Sequence, residues 1–106
     1  MRGLTLILVA PEPARFRAAL RLAAAAAALG RPTRLFLDED AVPVVAAATM
    51  PGALLATAWD LGVRLILCQT GLAAAGLDLR TLDPRMEAGG LVSLLAEAQD
   101  DDLVTM

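Results

Sequence analysis

At 106 residues the chain can build one hydrophobic core but not two, and 58% of it is hydrophobic, with a mean hydropathy of +0.63. That content is high for a small monomer, yet its longest apolar runs, LTLILVAP and LAAAAAALG, fall well short of the roughly 20 residues that span a bilayer, so burial against copies of the same chain is expected rather than insertion. The net charge is −3, every basic residue is arginine and aromatic residues are only 3%, which leaves no basic stripe for phosphates and no stacking platform for bases, and excludes nucleic acid as the expected partner.

Leu4–Ala10 is a continuous apolar run, too short for a helix and apolar on both faces, as a buried parallel strand would be. The opening MRGLTLILVA has the outline of a secretory leader, but its basic and apolar parts are minimal and cleavage would remove this strand. It is therefore read as part of the domain. The stretch PEPARFRAALRLAAAAAALG begins with prolines suited to a first helical turn and closes on Gly30. Phe16, Leu20 and Ala23/Ala24 form its apolar stripe, and Arg15, Arg17 and Arg21 lie largely off it. Arg31-Pro32 breaks the chain, and Thr33–Leu37 reads as a second strand ending in Asp38-Glu39-Asp40. Ala41–Ala48, interrupted by Pro43, reads as a short turn or loop as readily as a helix.

A second helix is expected over Pro51–Leu61, with Gly62 after it, and a third strand over Val63–Leu67. Cys68 stands where that strand stops. Gly71–Ala75 begins a short third helix, with Thr70 as a suitable N-cap and Gly76 closing it. LDLRTLDPRMEAGG is mostly loop, with room for a fourth strand around Met86–Ala88; Leu91–Ala98 is a helix and Leu103–Thr105 a last strand. This alternation predicts a single α/β domain over residues 1–106, a three-layer α/β/α arrangement around a mostly parallel five-stranded sheet.

In such sheets, ligands and reactive groups gather beyond the carboxyl ends of the strands. Two stretches belong there: Asp38-Glu39-Asp40 after the second strand and Cys68-Gln69-Thr70-Gly71 after the third. A thiol at a helix start faces backbone N–H groups that favour the reactive thiolate. With no histidine there is no Cys-His dyad; with one cysteine there is no CxxC pair, no internal disulfide and no thiol-rich metal site, which fits a reducing, cytoplasmic setting. A phosphate-cradling cysteine loop expects an arginine about six positions on, where Ala74 stands. Lysine is absent, which removes both a P-loop and the acidic receiver site that the Asp38 triplet would otherwise suggest. A flavodoxin-like phosphate binder would need a Ser/Thr/Gly-rich loop after the first strand, and none is present. No metal and no cofactor are expected. One reaction needs only a single thiol: accepting a sulfane sulfur as a persulfide and passing it to another thiol.

The stretch LILCQTGLAAAGLD, followed by MEAGGLVSLLAEA and the acidic approach DDDLVTM to the last strand, resembles the DsrE/DsrF-like family of sulfur-relay proteins. The likeness extends over nearly the whole chain in layout, although Ala75 stands where many members carry an arginine and DPRME replaces their usual Gly-Val entry to the fourth strand. It implies Cys68 as the sulfur acceptor, with sulfur-donor and acceptor thiol proteins as partners, and a homo-oligomeric trimer or hexamer. Gln69, Thr70, Gly71 and Asp38 are the candidate binding residues around the thiol. The alternative is a non-catalytic oligomeric binding or assembly module, in which Cys68 is a small buried hydrophobe and Gln69–Gly71 merely a turn and cap. On that alternative Asp38-Glu39-Asp40 is a solvated loop, Trp59 a core or subunit contact, and Arg80 and Arg85 ordinary surface charges.

Overall fold

The computed structural model describes residues 1–106. Five strands form one sheet: β1 (Leu4–Leu8), β2 (Thr33–Leu37), β3 (Arg64–Cys68), β4 (Met86–Gly89) and β5 (Asp102–Thr105). Their order is β4-β3-β2-β1-β5 and every neighbouring pair is parallel, so the mostly parallel sheet of the sequence reading is wholly parallel. Four α-helices connect them: α1 (Pro13–Ala28), α2 (Gly52–Asp60), α3 (Gln69–Ala74) and α4 (Leu91–Glu97). None is long and apolar enough to cross a membrane.

The order explains the layers. From β1 through β4 each strand is laid beside its predecessor in one direction, so right-handed crossovers put their helices on one face. The chain then returns across the whole sheet from β4 to β5, which sends α4 to the other face. Side-chain alternation divides the strands accordingly. Leu4, Leu6, Leu8, Leu35, Leu37, Leu65 and Leu67 are buried on the first face, which α1 covers with Phe16, Ala19, Leu20 and Ala23. The alanines let α1 approach closely, and burying Phe16 or Leu20 contributes roughly 1.5–3 kcal/mol each. Pro13 starts α1, and Gly30 beyond its end has φ 91°, a left-handed turn that a residue with a Cβ rarely adopts.

The second face is different. Register puts Thr5 and Ile7 of β1, Arg34 and Phe36 of β2, Arg64, Ile66 and Cys68 of β3, and Glu87 and Gly89 of β4 on it. A single seven-residue helix, α4, sits there with Leu94 and Ala98 turned inward. Three charged side chains therefore stand in otherwise apolar strands, and they are paired. Asp101, just before β5, accepts hydrogen bonds from Thr5 Oγ1 and Arg34 Nη1, both at 2.8 Å. Gly3 packs so tightly on the Asp101 carboxylate that a Cβ there would collide with it.

Two segments are 3₁₀ helices. Ala41–Ala48, expected as a short turn or loop as readily as a helix, lies mostly in a 3₁₀ helix over Glu39–Ala46 that accommodates Pro43 and buries Ala41, Val42, Val44 and Val45. Leu79–Thr81, read as loop, forms one further 3₁₀ turn whose start is capped by the Asp78 carboxylate accepting from the Arg80 N–H at 2.9 Å.

Candidate functional site

β3 and β4 are neighbouring strands whose exits leave for opposite faces of the sheet. Cys68 closes β3 and pairs in register with Gly89, the last residue of β4. It is also the N-cap residue of α3, with no side-chain cap bond, so the helix starts two residues earlier than expected and Thr70 lies inside it rather than capping it. The reason is local: the backbone turns directly out of the strand at Cys68, which has φ −59° and ψ 125°. Cys68 thus lies at the carboxyl edge of the sheet, but only 9% of its surface is exposed, and it packs with the main core cluster. An open, solvated thiol is not what the single chain presents.

The other candidate residues divide. Gln69 and Thr70 are exposed beside Cys68. Gly71 is buried, and a Cβ there would lie 2.6 Å from Val42 Cγ2 and 2.7 Å from the Glu39 carbonyl oxygen. Its smallness lets α3 rest on the 3₁₀ helix and so fixes the path of the Cys68 turn. Asp38 follows Leu37, which pairs with Leu67, so it stands next to Cys68 at the strand ends. It is half-buried and begins the 3₁₀ helix, its carbonyl accepting from the Ala41 N–H at 2.9 Å. Glu39 and Asp40 are exposed in the first turn of that helix.

Sequence reasoning missed the cleft below this edge. A cavity of about 360 Å³ runs along β3 and β4 under α4, walled by Arg64, Gln69, Glu87, Ser93 and Glu97, with Ile66 and Leu94 behind them and Gly89-Gly90 at its upper end. Its upper end therefore adjoins Cys68 through that residue's chain neighbour Gln69 and its register partner Gly89. Arg64 donates to both Glu87 oxygens, at 2.7 and 3.1 Å, and reaches Glu97 at 3.4 Å. Hydrogen bonding to Arg64 holds the Glu87 carboxyl below its ordinary range, against a smaller opposing effect of burial, and the same pair raises the Arg64 guanidinium. Glu97 also lies 3.8 Å from Arg34 Nε, too far for a hydrogen bond, and that nitrogen has no partner within the chain. A usable signal was present in the sequence: Arg34, Arg64 and Glu87 are charged residues inside short apolar strands, and such residues need partners on a common face.

Trp59 and the loop arginines form a separate surface feature. The Arg85 guanidinium stacks 4.1 Å from the Trp59 ring centroid while pairing with Asp83, and Arg80 pairs with Asp78. Each carboxyl is lowered by its arginine neighbour. Both arginines are thus occupied locally and lie away from the cleft's lining.

No model of a known protein family matches the sequence, and no curated protein matches it. Solved structures do. The ychN protein of E. coli has 27% sequence identity with this chain and a TM-score of 0.81, the match covering all of both chains. The fold is DsrE-like. A protein of unknown function from Methanobacterium thermoautotrophicum, MTH1491, is 14% identical with a TM-score of 0.79, again over the full length of both, and supports the fold alone. In this DsrE-like domain the β3–α3 turn carries the chain's single cysteine.

Proposed function

We propose that the protein is a cytoplasmic sulfur-relay carrier that holds sulfane sulfur as a persulfide on Cys68. The reading rests on one observation: a lone thiol at the β3–α3 turn of a DsrE-like domain, at the carboxyl edge of the sheet and against the end of its cleft. The chemistry asks for nothing else from the chain. The Cys68 thiolate attacks the outer sulfur of a partner persulfide, a new S–S bond forms at Cys68, and the partner's S–S bond breaks. The partner leaves as a thiolate and takes up a proton; no net oxidation occurs. The reverse attack by an acceptor thiol unloads the carrier. Low exposure shields a persulfide from bulk oxidants, and the exposed Gln69–Thr70 turn is where a partner thiol approaches.

A homo-oligomer, trimer or hexamer, accompanies this reading. Leu91, Val92 and Leu95 of α4 and Leu103 of β5 are all exposed, on the face that one short helix leaves thinly covered.

The burial of Cys68 favours a second reading, a non-catalytic oligomeric module whose cysteine is a structural hydrophobe. One experiment separates them. The purified protein is incubated with a sulfane-sulfur donor and its intact mass measured before and after reduction, with Cys68→Ser as control. A reducible gain of one sulfur atom in the wild type alone supports relay. A thiol that resists both the donor and alkylation in the native state supports the module.

A further inference from the structure

The cleft beside Cys68 has two unlike ends. At the lower end Arg64 holds Glu87 and Glu97, and Glu97 also faces Arg34, so the charges there are engaged with one another and tie α4 to the strands. At the upper end the lining is uncharged: Gln69, Gly89, Gly90 and, in the first turn of α4, Ser93. Three residues around Cys68 line this cleft: Ile66, two positions earlier on the same face, Gln69, next in the chain, and Gly89, across the ladder. On the opposite face β3 is sealed, with Leu65 and Leu67 buried. The cleft side is therefore the side from which the thiol can be reached.

The two glycines at that end differ. A Cβ at Gly89 would lie 2.9 Å from Ile66 Cγ2, so close packing accounts for that glycine. A Cβ at Gly90 would meet nothing within 4 Å, and φ −134° with ψ 166° is extended backbone that any residue adopts. Gly90 is also the N-cap of α4, where serine or asparagine would serve the helix at least as well. Neither packing, backbone nor capping calls for glycine at this position. What glycine does provide is unobstructed space at the end of the cleft, one residue from the register partner of Cys68.

We infer that Gly90 is a specificity-determining residue of the Cys68 site: lacking a side chain, it keeps open a passage between itself and Gln69 through which a partner thiol reaches the sulfur. What travels through the passage rests on the relay reading, but access of any thiol reagent to Cys68 depends on the cleft alone. A side chain at position 90 narrows the passage, and the bulkiest reagents are excluded first. The experiment uses the full chain with Gly90→Ser and Gly90→Asn, both favourable N-caps. Gly52→Asn is the control, since it adds the same side chain to open space at the start of α2. Reaction of native Cys68 is timed with methyl methanethiosulfonate, a small reagent, and with a phenyl-substituted maleimide, a bulky one. Urea titration follows stability, and intact mass follows sulfur uptake from a sulfane-sulfur donor.

The expected result is slower maleimide labelling in both Gly90 variants, more so in Gly90→Asn, where it falls by about tenfold or more, the effect of about 1.4 kcal/mol added to a barrier. Methyl methanethiosulfonate slows less, and Gly52→Asn reacts as the wild type does. Stability of the Gly90 variants stays level or rises, so a disturbed fold, which would quicken labelling, does not explain the loss. Rates indifferent to the residue at position 90, equal slowing in Gly52→Asn, or a native thiol that neither reagent reaches overturns the inference. Graded slowing in the Gly90 variants, in a protein whose Cys68 takes up no sulfane sulfur, overturns the relay reading instead.

Discussion

Gly71→Ala tests whether the Cys68 turn is held by close packing. The added Cβ would lie 2.6 Å from Val42 Cγ2, 2.7 Å from the Glu39 carbonyl oxygen and 3.0 Å from Glu39 Cα. Two of those atoms are backbone and cannot rotate away, so α3 or the 3₁₀ helix must shift; overpacking of this kind costs about 1–3 kcal/mol. Gly71 is helical, so alanine also regains about 0.8–1 kcal/mol of helix propensity. The net is a loss of up to roughly 2 kcal/mol, or a Tm lower by up to about 15 °C in a domain of this size. Gly52→Ala is the control: Gly52 starts α2 and a methyl group added there would meet nothing within 4 Å, so propensity acts alone and stability rises by about 0.4–1 kcal/mol. Denaturant titration of both variants measures the difference, and thiol alkylation of native Gly71→Ala should quicken as the turn loosens. Equal stabilisation by the two substitutions would show that the contact yields freely, and the argument for a braced thiol would fail.

Other outcomes follow from the second face. Asp101→Ala strands the buried Thr5 hydroxyl and the Arg34 guanidinium together, so unfolding should come about 2–3 kcal/mol more easily, measured by urea titration. Glu87 titrates below its ordinary value of 4.5 in the folded chain. The stability it contributes is therefore complete above pH 4.5 and disappears as pH falls through the lower folded value; Glu87→Gln should remove that part of the acid limb, worth no more than about 0.5 kcal/mol because the pair is 40% or more exposed. Arg85→Ala should alter the emission of Trp59, the chain's only tryptophan, with under about 1 kcal/mol lost. Native mass spectrometry should find a trimer or hexamer, and a clean monomer would contradict the account of the exposed apolar face.

The fold was legible because its central strands β1, β2 and β3 are short, mostly apolar runs bounded by proline, glycine or charge. Thr33–Leu37 agrees with its expected limits residue for residue, and the others shift by a residue or two at their ends. The 3₁₀ helix was ambiguous because Pro43 interrupts a pattern that its burial of four apolar residues restores only in three dimensions. At the site, sequence alone brings Cys68, Gln69 and Asp38 to one edge. It does not reveal that Gly71 is there to admit the 3₁₀ helix, since a close approach depends on a partner thirty residues away. Nor does it reveal the Arg64–Glu87–Glu97 cleft, because that grouping follows from strand register and from the return of α4 across the sheet.

The pairing of β1 with both β2 and β5 has a kinetic consequence. Leu4 meets Thr33 across one helix but meets Asp102 only after nearly the entire polypeptide has been arranged. Contacts so remote in sequence slow the search, so refolding should run in milliseconds to seconds rather than microseconds. Until the last strand docks, β1 presents a bare apolar edge, and that half-built sheet is the species most prone to associate wrongly.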